Sequence, residues 1–225
     1  MIEFLAELFW PWLFLGLANE VPDSPFALAL LHGVLLTALG ALFLHVCRLR
    51  GGGAVCRFRG REPGNRKIPA GDLRGRRRIR SAAAWLLAGA AAGISLNLLF
   101  NLLPGLVRRP AGLGIAARAL SVGGGAAGVL AVFRIFLLMP AVEELVFRGL
   151  GYGKLREVMG AAPASALTAI WFGLSHGVGA GGIYAGILGI FLAIARERKG
   201  LWRAFLLHAG ANAGSLMLWF LTSGG

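Results

Sequence analysis

Apolar residues along this chain gather into runs long enough to cross a bilayer, separated by short polar or charged stretches. Phe26 to Cys47 is a first such run and Ser81 to Val107 a second. Leu113 to Pro140 makes a third, softened by Gly123, Gly124, Gly125 and Gly128. Pro163 to Gly177 is a fourth and opens with proline near the first helical turn, where its missing N–H does no harm. Ile183 to Ala195 is shorter and leads into Arg196-Glu197-Arg198-Lys199, and Leu201 to Leu221 is the last. Phe4 to Ala18 is also apolar, but Glu7 and Pro11 interrupt it, and Trp10 and Trp12 suit a water–lipid boundary. It reads as an interfacial or half-buried helix, without the basic start and small-residue cleavage site of a leader peptide. At about 20 residues per spanning helix, the pattern predicts an all-α, polytopic membrane bundle of about six to seven helices. Residues 1–80 would hold the N-terminal hydrophobic segment, the first span and a basic loop; residues 81–225 would form the membrane-embedded core.

Composition sharpens this reading. The chain is 57% hydrophobic and 15% charged over 225 residues, with a mean hydropathy of +0.71. A soluble domain has roughly 45–50% apolar and about 25% charged residues, so a cytosolic globular enzyme is excluded. Disorder, which needs low hydrophobicity, is excluded as well. The net charge of +13 is unevenly spread: residues 48–80 carry 12 Lys and Arg against Glu62 and Asp72. Lying between two apolar runs, with Phe58 as its one aromatic, this loop follows the positive-inside rule and is expected in the cytoplasm. No nucleic-acid partner is expected; the bilayer is, including its anionic headgroups. Alternating spans then put Arg148, Lys154, Arg156, Arg196 to Lys199 and Arg203 on the same side. Cys47 and Cys56 at the edge of the loop read as two free thiols.

Ionisable groups within apolar runs are expensive and mark candidate sites. Glu143 and Glu144 follow Pro140, with Arg148 four residues past Glu144. His176 ends the stretch Phe172-Gly-Leu-Ser-His176, and His208 precedes Asn212 by one turn. If the helix bearing Glu143 ends near Arg156, Glu143 lies ~20 Å from that end; His176 is ~20 Å, His208 ~12 Å and Asn212 ~18 Å deep on their own helices. Three helices would thus deliver a carboxylate, two imidazoles and an amide to a similar depth. His208 and Asn212 share a face at i, i+4, and Glu144 and Arg148 have the favourable acid-before-base order. Glu143 points about 100° away from Glu144 and is free for other work. A carboxylate beside a histidine in a low-dielectric cavity can hold and deprotonate water. A second histidine and an amide can donate to an oxyanion, a set suited to amide hydrolysis. Each signal is weak alone. A Glu pair with Arg at i+4 is often a structural ion pair, a single membrane histidine is more often a packing residue, and Asn212 could bridge helices. Arg134, nine residues before Glu143, reads as a snorkelling or paired side chain. His32 and His45 lack acidic partners.

The ordered set Glu143-Glu144-x-x-x-Arg148, Phe172-x-x-x-His176 and His208-x-x-x-Asn212 resembles the CPBP family of intramembrane proteases, related to Rce1-type CAAX prenyl endopeptidases and to the Abi proteins. The resemblance covers roughly residues 120–221. It implies that Glu143 activates water with help from His176, that His208 and Asn212 form the oxyanion site, that Glu144 and Arg148 brace the motif helix, and that Phe172 packs beside the catalytic water. It further implies an endopeptidase of a bacterial inner or plasma membrane, acting on a membrane protein or peptide by a glutamate-type mechanism without a metal cofactor. The sequence has no His-Glu-x-x-His; its histidines and carboxylates could bind zinc but do not demand it. Two alternatives stand beside this one: a non-catalytic relative, immunity-like or scaffold, using the same cavity, and a small transporter with a Glu/His proton relay.

Overall fold

A computed structural model describes residues 72–102 and 132–223, with side chains described from residue 79 to 222. The predicted helices at 4–18 and 26–47, most of the basic loop and residues 103–131 lie outside the described residues. Within them every regular element is helical and no strand occurs. Helix α1 is Asp72–Asn101. It begins well before the expected Ser81, because arginine is a good helix former and the basic end of the loop winds on continuously into the apolar segment. A helical run over 134–158 follows, then α4 (Ala161–Ser175), α5 (Ala180–Lys199) and α6 (Leu201–Ser223).

Ile79–Asn101, Ala180–Lys199 and Leu201–Thr222 are each long and apolar enough to cross a membrane. Arg196 to Lys199, expected to follow the fifth run, instead form the last turn of α5. Cations are favourable there because the helix dipole leaves partial negative charge on the final carbonyls. Gly200 ends the helix at φ 88°, a left-handed conformation that a side chain disfavours.

Two glycine pairs set the spacing of the bundle. Gly89 and Gly93 on α1, and Gly210 and Gly214 on α6, are each spaced by four and so lie on one helix face. An added Cβ at Gly89 would fall on the Leu207 backbone, at Gly93 on Ala211, at Gly210 on Leu86 and at Gly214 on Ala90. The two backbones touch, as small-xxx-small pairs allow where no hydrophobic effect drives helices together. Val142, Phe147, Phe172, Leu188, Leu192 and Leu207 fill the core between the helices. Leu87, Leu99, Ile170 and Phe191 remain exposed on the outside, where lipid would cover them.

The run over 134–158 is not a uniform α-helix. It contains a π-helical stretch Arg134–Leu138, α2 (Met139–Glu143), a second π stretch Glu144–Gly151, and α3 (Tyr152–Val158). Pro140 accounts for the first. It has no N–H to give, and its ring would clash with the carbonyl of Phe136 in a regular α-helix. The Met139 N–H reaches back five residues to the Arg134 carbonyl, and Pro140 has no N–H to offer the Ile135 carbonyl five residues before it. The far end of the run is fastened to α5. The Tyr152 hydroxyl donates to Glu197 Oε2 at 2.6 Å, Arg156 lies 3.7 Å from Glu197 Oε1, and Arg196 Nε donates to the Arg148 carbonyl at 3.1 Å.

Candidate active site

Four segments meet inside the bundle. Glu143 is the last residue of α2 and Glu144 the first of the second π stretch, so both carboxylates leave adjacent positions on a widened turn. His176 caps the C-terminus of α4, and α6 supplies His208 and Asn212.

Glu144 and Arg148 are buried and paired, with Arg148 Nη1 donating to Glu144 Oε1 at 3.1 Å and Nη2 to the Gly189 carbonyl at 3.2 Å. The guanidinium carbon also stands 4.2 Å from the centre of the Phe172 ring, a cation–π contact out of water. Gly189 allows a close approach here: a Cβ would come 3.1 Å from Arg148 Nη2 and 3.1 Å from the Ala169 Cα, so these neighbours would have to give by a few tenths of an ångström. Glu144 does more than brace its helix. The same Oε1 accepts from His208 Nδ1 at 2.9 Å, while Oε2 is buried without a partner. A carboxylate can only accept, so Nδ1 carries a hydrogen and Nε2 is turned to the other carboxylate, 3.4 Å from Glu143 Oε2.

Glu143 thus stands between two imidazoles. Its Oε1 lies 3.9 Å from His176 Nε2, too long for a direct hydrogen bond and within reach of one bridging water. His176 Nδ1 donates to the Phe172 carbonyl at 2.8 Å, which leaves Nε2 of the neutral ring as an acceptor facing Glu143. Burial separates the two histidines: the His176 side chain is 37% exposed and that of His208 only 4%. His176 is the open side of the site. Phe172 holds both rings edge to face, with centroids 4.6 Å from His176 and 5.6 Å from His208.

Asn212 lies one turn along α6 from His208, and its Nδ2 donates at 3.0 Å to the Ile135 carbonyl, whose i+5 residue is Pro140. One Nδ2 hydrogen is engaged there and the second is uncommitted in that bond. Ser215 continues the same face and joins a second polar cluster that the sequence reading did not single out. Asn97 Nδ2 donates to Ser215 Oγ at 2.8 Å, and the Tyr184 hydroxyl is 2.8 Å from the same oxygen. The i, i+4, i+7 spacing of His208, Asn212 and Ser215 was visible; the partners on α1 and α5 were not. Among the described residues Arg134 forms no ion pair, and its Nε is buried without a hydrogen-bond partner. Among the described residues no three His, Cys, Asp or Glu side chains stand where they could hold a metal ion.

A buried carboxylate flanked by two imidazoles inside a bundle of apolar helices defines a membrane protein with acid–base equipment in its interior. Residues 125–214 match the family described as type II CAAX prenyl endopeptidase Rce1-like, so that stretch of the chain is similar to this family. That is a protease family, and every motif residue from Glu143 to Asn212 falls within the matched span. No curated protein and no solved structure matches the chain.

Proposed function

We propose that the protein is an intramembrane endopeptidase of the glutamate type, cleaving a peptide bond in a membrane-associated protein or peptide. The observation that carries the reading is the position of Glu143, buried between His176 Nε2 and His208 Nε2. A water placed between Glu143 Oε1 and His176 Nε2 would give one hydrogen to each, leaving its oxygen lone pairs free for a carbonyl carbon. Glu143 takes the proton as the C–O bond forms. His208, its Nδ1 hydrogen held by Glu144, donates to the developing oxyanion through Nε2 when the ring carries a hydrogen on both nitrogens, beside the uncommitted hydrogen of Asn212. Glu143 then delivers its proton to the amide nitrogen as the C–N bond breaks. Glu144, Arg148 and Phe172 position these groups. No step requires a metal or other cofactor. The protein would reside in a bacterial inner or plasma membrane with its basic loop in the cytoplasm. The non-catalytic alternative, a scaffold or immunity-like relative, needs none of these alignments.

Cleavage of a model transmembrane peptide by the purified protein tests the proposal. Glu143→Gln should retain the fold and lose turnover, because the amide keeps the shape and cannot accept the proton. Wild-type activity should survive prolonged chelation. Unchanged cleavage by Glu143→Gln would overturn the enzyme reading, and a zinc-reversible loss on chelation would overturn the metal-free mechanism.

A further inference from the structure

Three polar side chains stand together one turn beyond Asn212, and nothing in the mechanism uses them. Asn97 of α1, Tyr184 of α5 and Ser215 of α6 meet between the helices, with Ser215 on the face that carries His208 and Asn212. Asn97 Nδ2 donates at 2.8 Å to the Gly93 carbonyl and at 2.8 Å to Ser215 Oγ. A carbonyl can only accept, so the orientation of this amide is fixed and both its hydrogens are used. Among the described residues no donor reaches Asn97 Oδ1. The two hydroxyls are 2.8 Å apart and either can donate to the other. Whichever does, the other hydroxyl keeps a hydrogen with no acceptor among the described residues. The cluster therefore has one open acceptor and one open donor side by side. Ser215 is buried, but Asn97 and Tyr184 are only half-buried, so the cluster has an accessible side. The Phe100 ring packs edge to face on Tyr184 at 6.0 Å and holds its hydroxyl in place.

Resting on the peptidase reading above, we propose that Asn97, Tyr184 and Ser215 hold the backbone N–H and C=O of one substrate residue beside the bond that is cut. Asn97 Oδ1 accepts the N–H, and the free hydroxyl donates to the C=O. In an extended chain these two groups of one residue point to the same side, as they do when paired strands exchange both bonds. A substrate inside a membrane must leave its helix before a carbonyl can be attacked, and its unwound backbone groups are costly in apolar surroundings without partners. Ser215 lies three residues beyond Asn212 and seven beyond His208, about 4.5 and 10.5 Å along α6. An extended peptide covers roughly 3.3–3.6 Å per residue, so the held residue lies about one to three residues from the scissile carbonyl. These side chains position the substrate and are distinct from the water-activating group. A trapped water is the competing occupant, and it makes no distinction between the peptides of the test.

The test uses a fluorescent hydrophobic peptide of Ala, Leu and Val in micelles, with its peptide bonds replaced one at a time by an (E)-alkene. Each replacement keeps the extended shape and removes one C=O and the N–H of the next residue. Binding is measured on the full-length Glu143→Gln protein, which holds the peptide without turnover. Two successive bonds, those flanking one residue, should each show about threefold to tenfold weaker binding, the range for one hydrogen bond. Adding Asn97→Leu should abolish the first penalty, where the N–H is lost. Adding Tyr184→Phe with Ser215→Ala should reduce the second, where the C=O is lost, so either variant decides if the other does not fold. Uniform binding along the series, absent binding included, overturns the assignment. So do penalties that persist in the folded variants, or variants that weaken every peptide alike, as a packing role alone would. Turnover by the wild type is read separately: an inactive protein that still shows the paired penalties would refute the peptidase reading and leave the backbone site standing.

Discussion

His208 is the most constrained side chain of the site, since each ring nitrogen faces a different carboxylate at 2.9 and 3.4 Å. The two roles proposed for it, oxyanion donor and partner of Glu143, would both be lost on truncation. His208→Ala should lower kcat by ~10²–10³ with measurable turnover remaining, the usual loss for one oxyanion donor. Asn212→Ala should fall in the same range but also unfold more easily, because it strands the Ile135 carbonyl in apolar surroundings. Glu144→Ala leaves Arg148 charged, buried and unpaired. Breaking such a pair costs about 3–5 kcal/mol, so the variant should show a lower unfolding midpoint in detergent. Glu144→Gln should recover part of that midpoint through its remaining acceptor oxygen. If Glu144→Ala kept full stability, its pairing with Arg148 would not be what holds the motif helix.

At the scale of elements, the site depends on helices that approach more closely than ordinary side chains permit. Gly214→Leu would push its side chain into the Ala90 backbone of α1. Overpacking commonly costs about 1–3 kcal/mol, and here backbone rather than a flexible side chain must give way. A fall in the thermal midpoint and in activity together is expected, while the same change at exposed Ile190 on α5 should alter neither. Gly189→Ala probes the other contact, between α5 and Arg148. Displacement of the guanidinium should reduce activity through Glu144 even though residue 189 touches no reacting atom. The spacing of these glycines was legible in the sequence. Which helix each pair faces was not, because a glycine carries no side chain whose chemistry points to its partner.

For the whole molecule, the asymmetry of charge is the quantity with a direct test. Residues 48–80 carry 12 of the 23 basic residues, and the positive-inside rule predicts that they lie in the cytoplasm. A Gly64→Cys variant, made with Cys47 and Cys56 replaced by Ser, should resist a membrane-impermeant maleimide in intact cells and react once the cells are permeabilised. Labelling in intact cells would invert the topology and with it the side from which substrate enters.

The sequence by itself determined the helical membrane class, the ordered residues of the three motifs and their rough common depth. These follow from local quantities: hydropathy over about 20 residues and a fixed rise per residue. The boundaries moved where local propensity continued past the apolar segment, as at the arginine-rich start of α1 and the charged last turn of α5. Only the tertiary structure decided how the side chains divide the work. A 100° offset between Glu143 and Glu144 suggests opposite partners, yet both reach His208, because the π turn widens the helix there and His208 offers two nitrogens. Asn212 was legible as a donor, but its acceptor, the Ile135 carbonyl on another segment, was not. Arg134 read as an ordinary paired or snorkelling cation; that its Nε meets no acceptor among the described residues depends on how the helices pack. Periodicity specifies which face a residue occupies, whereas the identity of its partner depends on distances between segments that no local pattern encodes.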